Sequence, residues 1–150
     1  MTGPHVINLA STVFLLKGDS VFLLRRSNTG YRDGFWSAVG GRLEAGESFL
    51  SCAVREAAEE VGAKIDPAAL GEPVMHHGSD EIGTRIIAFY ACRKWSGAPS
   101  NLEPDKHDRA QWFPLTALPP GMTPYVRAAL ESLLSPRPPS LFEEGFPAAA

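Results

Sequence analysis

The chain has 150 residues, 44% hydrophobic and 21% charged, enough to bury one continuous apolar core without disulfides or a structural metal. Its formal net charge of -3 argues against a surface for long nucleic acid, which needs clustered lysine and arginine against the phosphates. Cys52 and Cys92 are the only cysteines and lack the paired spacing of a zinc site; with no secretory leader and no run apolar enough to span a bilayer, a reduced, soluble, cytoplasmic protein is expected.

From Val6 to Leu16 the residues are rich in Val, Ile, Leu and Thr, and Val21 to Arg26 repeats that character after Lys17-Gly18-Asp19-Ser20. The pair reads as a hairpin of two antiparallel strands. Asn28 to Gly34 is polar and punctuated by glycine, which predicts an exposed loop, and Phe35 to Val39 is a short strand entering Gly40-Gly41. Between Glu47 and Gly62 the period changes: Leu50, Val54, Ala57 and Val61 recur at helical spacing, with Gly62 where a helix stops.

Further along, Val74 to His77 and Ile86 to Trp95 predict strands, separated by a loop at Ser79 to Gly83 that carries Asp80 and Glu81. The loop Ser96 to His107 precedes a short strand, Ala110 to Pro114. Thr123-Pro124 has the form of a helix start, an N-cap hydroxyl followed by proline in the first turn, and an apolar face continues through Val126, Ala129, Leu130 and Leu133. Beyond Ser135 the prolines of Pro136-Arg137-Pro138-Pro139 show no periodicity. One domain over 1–135 and a proline-rich, disordered tail over 136–150 are expected.

The chemistry concentrates on the first helix. At about 100° per residue, Glu56, Glu59 and Glu60 fall in one narrow sector. Like charges so spaced oppose helix formation by a few tenths of a kcal/mol per pair, a cost that a hard divalent cation would reverse. Magnesium takes oxygen ligands and is commonly shared between one or two carboxylates and substrate phosphates. Arg55 lies four residues before Glu59 and can orient a carboxylate, while the apolar positions opposite set the direction in which the acids point. An amphipathic helix with idle glutamates is the bland alternative; Gly40-Gly41 at the end of the preceding strand weighs against it, since glycine lets backbone approach a ligand closely.

The run Gly41-Arg42-Leu43-Glu44-Ala45-Gly46-Glu47, seven residues, then Arg55-Glu56-Ala57-Ala58-Glu59-Glu60-Val61-Gly62-Ala63 resembles the signature of the Nudix hydrolases, G-x5-E-x7-R-E-U-x-E-E-x-G-U. Every glycine, acid and arginine stands at the right spacing. Two departures are visible: the bulky aliphatic slots hold Ala57 and Ala63, and Val39 stands where many members have proline. Weaker likeness extends over most of Val6 to Leu134.

The resemblance implies a fold of the α/β (α+β) class, an α/β/α sandwich around a mixed β-sheet with the signature as a loop, helix and loop. It implies magnesium, or manganese, held by Glu56, Glu59, Glu60 and the Gly40 carbonyl, with Glu47 paired to Arg55. Hydrolysis of a phosphoanhydride bond in a nucleoside diphosphate derivative follows, by in-line attack at phosphorus. A nucleoside triphosphate giving a monophosphate and pyrophosphate is the favoured substrate. Glu56 and Glu103 are the candidate general bases, Glu103 because its loop resembles that of MutT-type triphosphatases; Asp105, Asp80 and Glu81 are weaker.

Arg26 matches a phosphate-contacting position and offers a guanidinium fork, whereas Arg25 should point to the other face of its strand. Gly41 is expected beside the substrate. Trp112 or Phe113 could stack on a base, although aromatics at a strand end are more often core, and Tyr31, Phe35, Trp36 and Tyr90 share that ambiguity. His76 and His77 are given no role. The same signature also serves nucleotide sugars such as ADP-ribose, dinucleoside polyphosphates, and modules that bind nucleotide without catalysis, though the complete acid set argues against the last. The expected partner is a small nucleotide, with no membrane, in a monomer or homodimer.

Overall fold

The computed structural model describes residues 3–149. Among these residues eight strands and two α-helices follow one another, with a 3-10 turn at Pro67–Ala69: β1 (Ile7–Lys17), β2 (Ser20–Arg26), β3 (Trp36–Ser37), β4 (Val39–Arg42), α1 (Phe49–Val61), β5 (Val74–Ser79), β6 (Thr84–Cys92), β7 (His107–Pro114), α2 (Pro124–Leu134) and β8 (Leu141–Glu144). The strands form one mixed sheet in the order β3-β2-β1-β6-β5-β8, with β4 also paired to β1 and β7 to β2. The β1–β2 hairpin forms where the two apolar runs around Lys17-Gly18-Asp19-Ser20 predict it, Leu16 facing Val21 and Lys17 facing Ser20. The central pairing of β1 with β6 is parallel, Ile7 beside Thr84 through Leu15 beside Cys92.

Alternation along β1 divides the core into two layers. Val13 and Leu15 point to the side where Ala53, Ala57 and Val61 of α1 pack, while Phe14 and Leu16 point to Val126, Ala129 and Leu130 of α2. The helices therefore sandwich the sheet. Ala57 and Ala63, the small residues in the aliphatic slots, are completely buried and let α1 lie close to β4.

Local chemistry sets the ends of α1. The Ser48 hydroxyl accepts the Ser51 N–H at 3.0 Å, so the helix begins after Ser48, two residues later than the periodicity predicts, and Glu47 is left outside it. At the other end Gly62 has φ 74° and its N–H reaches the Ala57 and Ala58 carbonyls, a left-handed cap that glycine adopts without a Cβ penalty. Leu50, expected on the buried face, is instead exposed, and Cys52 takes its place in the core.

Three further expectations change. Strand β7 begins at His107 rather than Ala110, because it continues alongside β2 as far as Arg26 through an irregularity between Arg25 and Arg26. Thr123 precedes α2, but its hydroxyl makes no capping bond; the Thr123 carbonyl accepts the Val126 and Arg127 N–H groups instead. The segment after Ser135, expected to be disordered, carries β8, which runs parallel to β5 with Met75 beside Leu141 and Gly78 beside Glu144. Its pairing is with a strand more than sixty residues earlier, which no local period reveals. Among the described residues no helix is long and apolar enough to cross a membrane.

Candidate active site

Arg55 is the hub of the acidic surface of α1. Its guanidinium grips Glu47 in a two-pronged pair, Nε to Oε2 at 2.6 Å and Nη2 to Oε1 at 2.9 Å. It also donates to Glu56 at 2.8 Å, to Glu59 at 3.1 Å and to the Arg42 carbonyl at 3.1 Å. Glu47 in turn accepts the Glu44 N–H. Led by the hydrogen bond from Arg55, these contacts hold the Glu47 carboxyl down at about 2, and they raise the Arg55 pKa, led by Glu47. The loop before α1, the helix and β4 are thus tied at one point.

The three glutamates of the narrow sector are not equivalent. Glu59 stands in solvent and joins the others only through Arg55. Glu56 lies against Gly41: a Cβ built there would come within 2.6 Å of the Glu56 carboxyl carbon, so this glycine is what admits the carboxylate. Burial pushes the Glu56 pKa up, against the opposing pull of Arg55. Glu60 is only 4% exposed and accepts the Gly40 N–H at 2.7 Å. Burial drives its pKa up to about 8, since removing a carboxylate from water disfavours its charged form.

Strand register aims Gly40. It sits opposite Thr12, and the flanking bond from the Leu43 N–H to the Leu9 carbonyl sets the alternation so that Gly40 and Thr12 form a pair without mutual hydrogen bonds. Both the N–H and the carbonyl of Gly40 therefore point away from β1, toward Glu60. The Arg42 carbonyl, two residues on, faces the same way and meets Arg55.

Two neighbours complete the acidic rim. The Leu102 N–H donates to the Glu60 carbonyl at 2.9 Å, which brings the following residue, Glu103, close enough to raise the pKa of both Glu56 and Glu60. His107, which sequence reasoning left in a loop, is buried with Nε2 3.6 Å from Glu60 Oε2. It is carried there by pairing with Arg26, a contact with no local signature. Arg26 is held by the Tyr31 carbonyl at 2.7 Å and the Thr29 hydroxyl, and lies near enough to favour the charged form of Glu60.

Gly40 and Gly41 also line a cavity of about 360 Å³ on the α2 side of the sheet. Arg26, Arg42 and Arg85 contribute cationic groups to its wall, and Tyr31 and Tyr125 close it with hydroxyls 2.7 Å apart. Trp112 and Phe113 do not reach it. Trp112 packs edge-on against Phe22 and over Trp95, and Phe113 packs against Trp36, so both serve the core. Trp36 and Tyr90 are core as well. Arg25 turns outward to Asp108, as alternation predicts. Asp80 lines the cavity, paired with Arg85 at 2.7 Å.

The donors fit a hard divalent cation in kind: carboxylate oxygens, an inward backbone carbonyl, and a buried acid whose charge is under-compensated. Among the described residues no three His, Cys, Asp or Glu side chains are already drawn into one cluster, and Arg55 lies between Glu47, Glu56 and Glu59.

A family model described as the NUDIX domain matches residues 7–133. The chain belongs to the NUDIX domain family. A MutT NUDIX hydrolase from Burkholderia pseudomallei superposes with a TM-score of 0.75 at 27% identity, over 85% of this chain and 98% of that one. An NMN adenylyltransferase/ADP ribose pyrophosphatase from Francisella tularensis shares the fold, with a TM-score of 0.71 at 16% identity over 89% of this chain and 42% of that one. Among curated proteins, the NAD-capped RNA hydrolase NudC of Stutzerimonas stutzeri is 30% identical over 83% of this chain, and that of Pseudomonas aeruginosa 33% over 72%. The chain spans 44% and 36% of their lengths. This NUDIX chain accordingly has the mixed-sheet sandwich of its family.

Proposed function

We propose that this Nudix hydrolase is a cytoplasmic, magnesium- or manganese-dependent enzyme that cleaves nucleoside triphosphates to a monophosphate and pyrophosphate. The observation that carries the reading is the double duty of Gly40-Gly41, which touch Glu60 and Glu56 on one side and line a cavity bearing Arg26 and Arg42 on the other. A substrate in the cavity would place its phosphates at that strand, between guanidinium groups and carboxylates.

In this reading Glu56, Glu59, Glu60 and the Gly40 carbonyl would hold the ion. A bound divalent ion neutralises charge on the anhydride oxygens that would otherwise repel a nucleophile. Arg26 and Arg42 bind the phosphate oxygens, and Arg55, locked by Glu47, keeps Glu56 aimed at the strand. Water attacks phosphorus in line, its proton passing to Glu56 or Glu103, and the pyrophosphate leaves. Glu103 beside Glu56 and Glu60 favours triphosphates, matching the loop resemblance.

The names of the curated relatives favour a second reading, a dinucleotide pyrophosphate such as an NAD cap. Purified protein with magnesium should be offered the common nucleoside triphosphates, ADP-ribose, NAD, NAD-capped RNA and dinucleoside polyphosphates. Pyrophosphate release from a triphosphate as the preferred reaction is expected. Mononucleotide products from NAD or its capped RNA at higher kcat/KM would overturn the triphosphate assignment, and turnover without added or bound divalent ion would overturn the metal assignment.

A further inference from the structure

We infer that Asn8 determines base specificity, by reading the edge of an adenine at the end of the cavity farthest from the acidic rim. The inference deepens the nucleotide reading above and rests on it.

Position comes first. Thr12, Ala10 and Asn8 alternate onto the same face of β1 and line the cavity. Thr12 lies opposite Gly40, at the phosphate end, and Asn8 lies beside Arg85 of β6. Four strand steps separate them, about 13 Å at the usual rise, a length that an extended nucleoside diphosphate spans. Ala10 between them has no bulk to stop a flat ring from lying across the strand, and Ile87 and Val126 add apolar wall.

Among the described residues, the other polar side chains at this end of the cavity already have partners, and Asn8 does not. Arg85 spends Nε on His76, Nη1 on Asp80 and Nη2 on Glu144. Asp80 already accepts from the Ile82 and Gly83 N–H groups as well as from Arg85. The Tyr31 and Tyr125 hydroxyls are bonded to each other. Asn8 is half-buried, and its amide has no hydrogen-bond partner among the described residues. An amide presents one acceptor and two donors side by side, and the pattern that adenine offers, an exocyclic amine beside a ring nitrogen, is the established bidentate partner of asparagine. Guanine presents two acceptors on the edge where adenine presents an amine beside a ring nitrogen, so the amide oxygen of Asn8 is left without a donor there.

The experiment compares wild type with Asn8→Ala and Asn8→Asp in two assays: kcat/KM for ATP against GTP, and calorimetric binding of AMP against GMP without metal. Wild type should prefer adenine in both. Asn8→Ala should erase most of that preference, roughly tenfold to a hundredfold, the discrimination carried by one bidentate pair. Asn8→Asp, which only accepts, should move the ratio toward guanine, whose Watson–Crick edge offers two donors, and both variants should act through KM. Equal base ratios in wild type and both folded variants would overturn the role of Asn8 while leaving the hydrolase reading intact. Failure of wild type to bind or hydrolyse any of these nucleotides would overturn the nucleotide reading itself, and the role of Asn8 with it.

Discussion

The two helices do the same packing work on opposite faces of one sheet, yet with different materials. α2 buries Tyr125, Val126, Ala129 and Leu130, whereas α1 buries Cys52, Ala53, Ala57, Val61 and a glutamate. α2 presents the larger side chains, Tyr125 and Leu130, to the sheet. Small ones bring α1 close to β4, and that proximity puts Glu56 and Glu60 on Gly41 and Gly40. The buried acids gather in the α1 layer, whereas the cavity opens in the α2 layer.

That division can be attacked directly. The largest effect is expected from Glu60→Gln, which keeps an acceptor for the Gly40 N–H but removes the charge. Turnover should fall by about two to three orders of magnitude, as when one group that stabilises transition-state charge is lost. Stability should not follow. With its pKa raised to about 8, folded Glu60 retains a proton that the unfolded chain releases above its ordinary value. Metal-free stability therefore declines as pH rises through that window, and glutamine removes the decline. Thermal melts at pH 8 should show the variant at or above wild type; marked destabilisation would mean that the acid is structural.

Leu130→Ala is the converse experiment. Leu130 is completely buried under α2, and truncation should cost about 3 kcal/mol by chemical denaturation, with kcat/KM per folded molecule retained. A fall in kcat/KM comparable to that of Glu60→Gln would blur the two layers. Gly41→Ala comes next: the added methyl must displace the Glu56 carboxylate, and turnover should drop roughly tenfold to a hundredfold, the cost of a misplacement near 1 Å. Unchanged turnover would detach Glu56 from the reaction.

The smallest effect belongs to the α2 layer and to acid pH. His76 is buried, stacked on Tyr125 at 5.0 Å, and burial pushes its pKa down to about 4. Between that value and the ordinary histidine value only the unfolded chain takes up the proton, so stability is lost as pH falls. The loss should be roughly 1 kcal/mol at pH 5.5 relative to pH 7.5. His76→Phe should flatten that slope; an unchanged slope would assign it to other groups.

What could be read from the residues in advance was local. The helix of α1, its glycine stop and the acid spacing follow from period and capping, and the β1–β2 hairpin follows from two β-rich runs around a turn. The cavity did not follow, because Asn8, Arg42 and Arg85 meet only through strand pairing, and parallel β1–β6 pairing leaves no trace in either strand alone. His107 was missed for the same reason. Trp112 and Phe113 were ambiguous because an aromatic at a strand end has one composition and two possible neighbours. Proline near 136–139 hid β8, whose partner is far away in the sequence.

Glu144 of β8 touches Arg85, yet it lies outside the residues 7–133 that the family model matches. Grouping homologues by substrate from that matched stretch alone would therefore overlook a side chain that steadies the pocket wall. Exchanging the stretch after α2 between homologues offers a route to altered selectivity that leaves every residue of the acid-bearing signature in place.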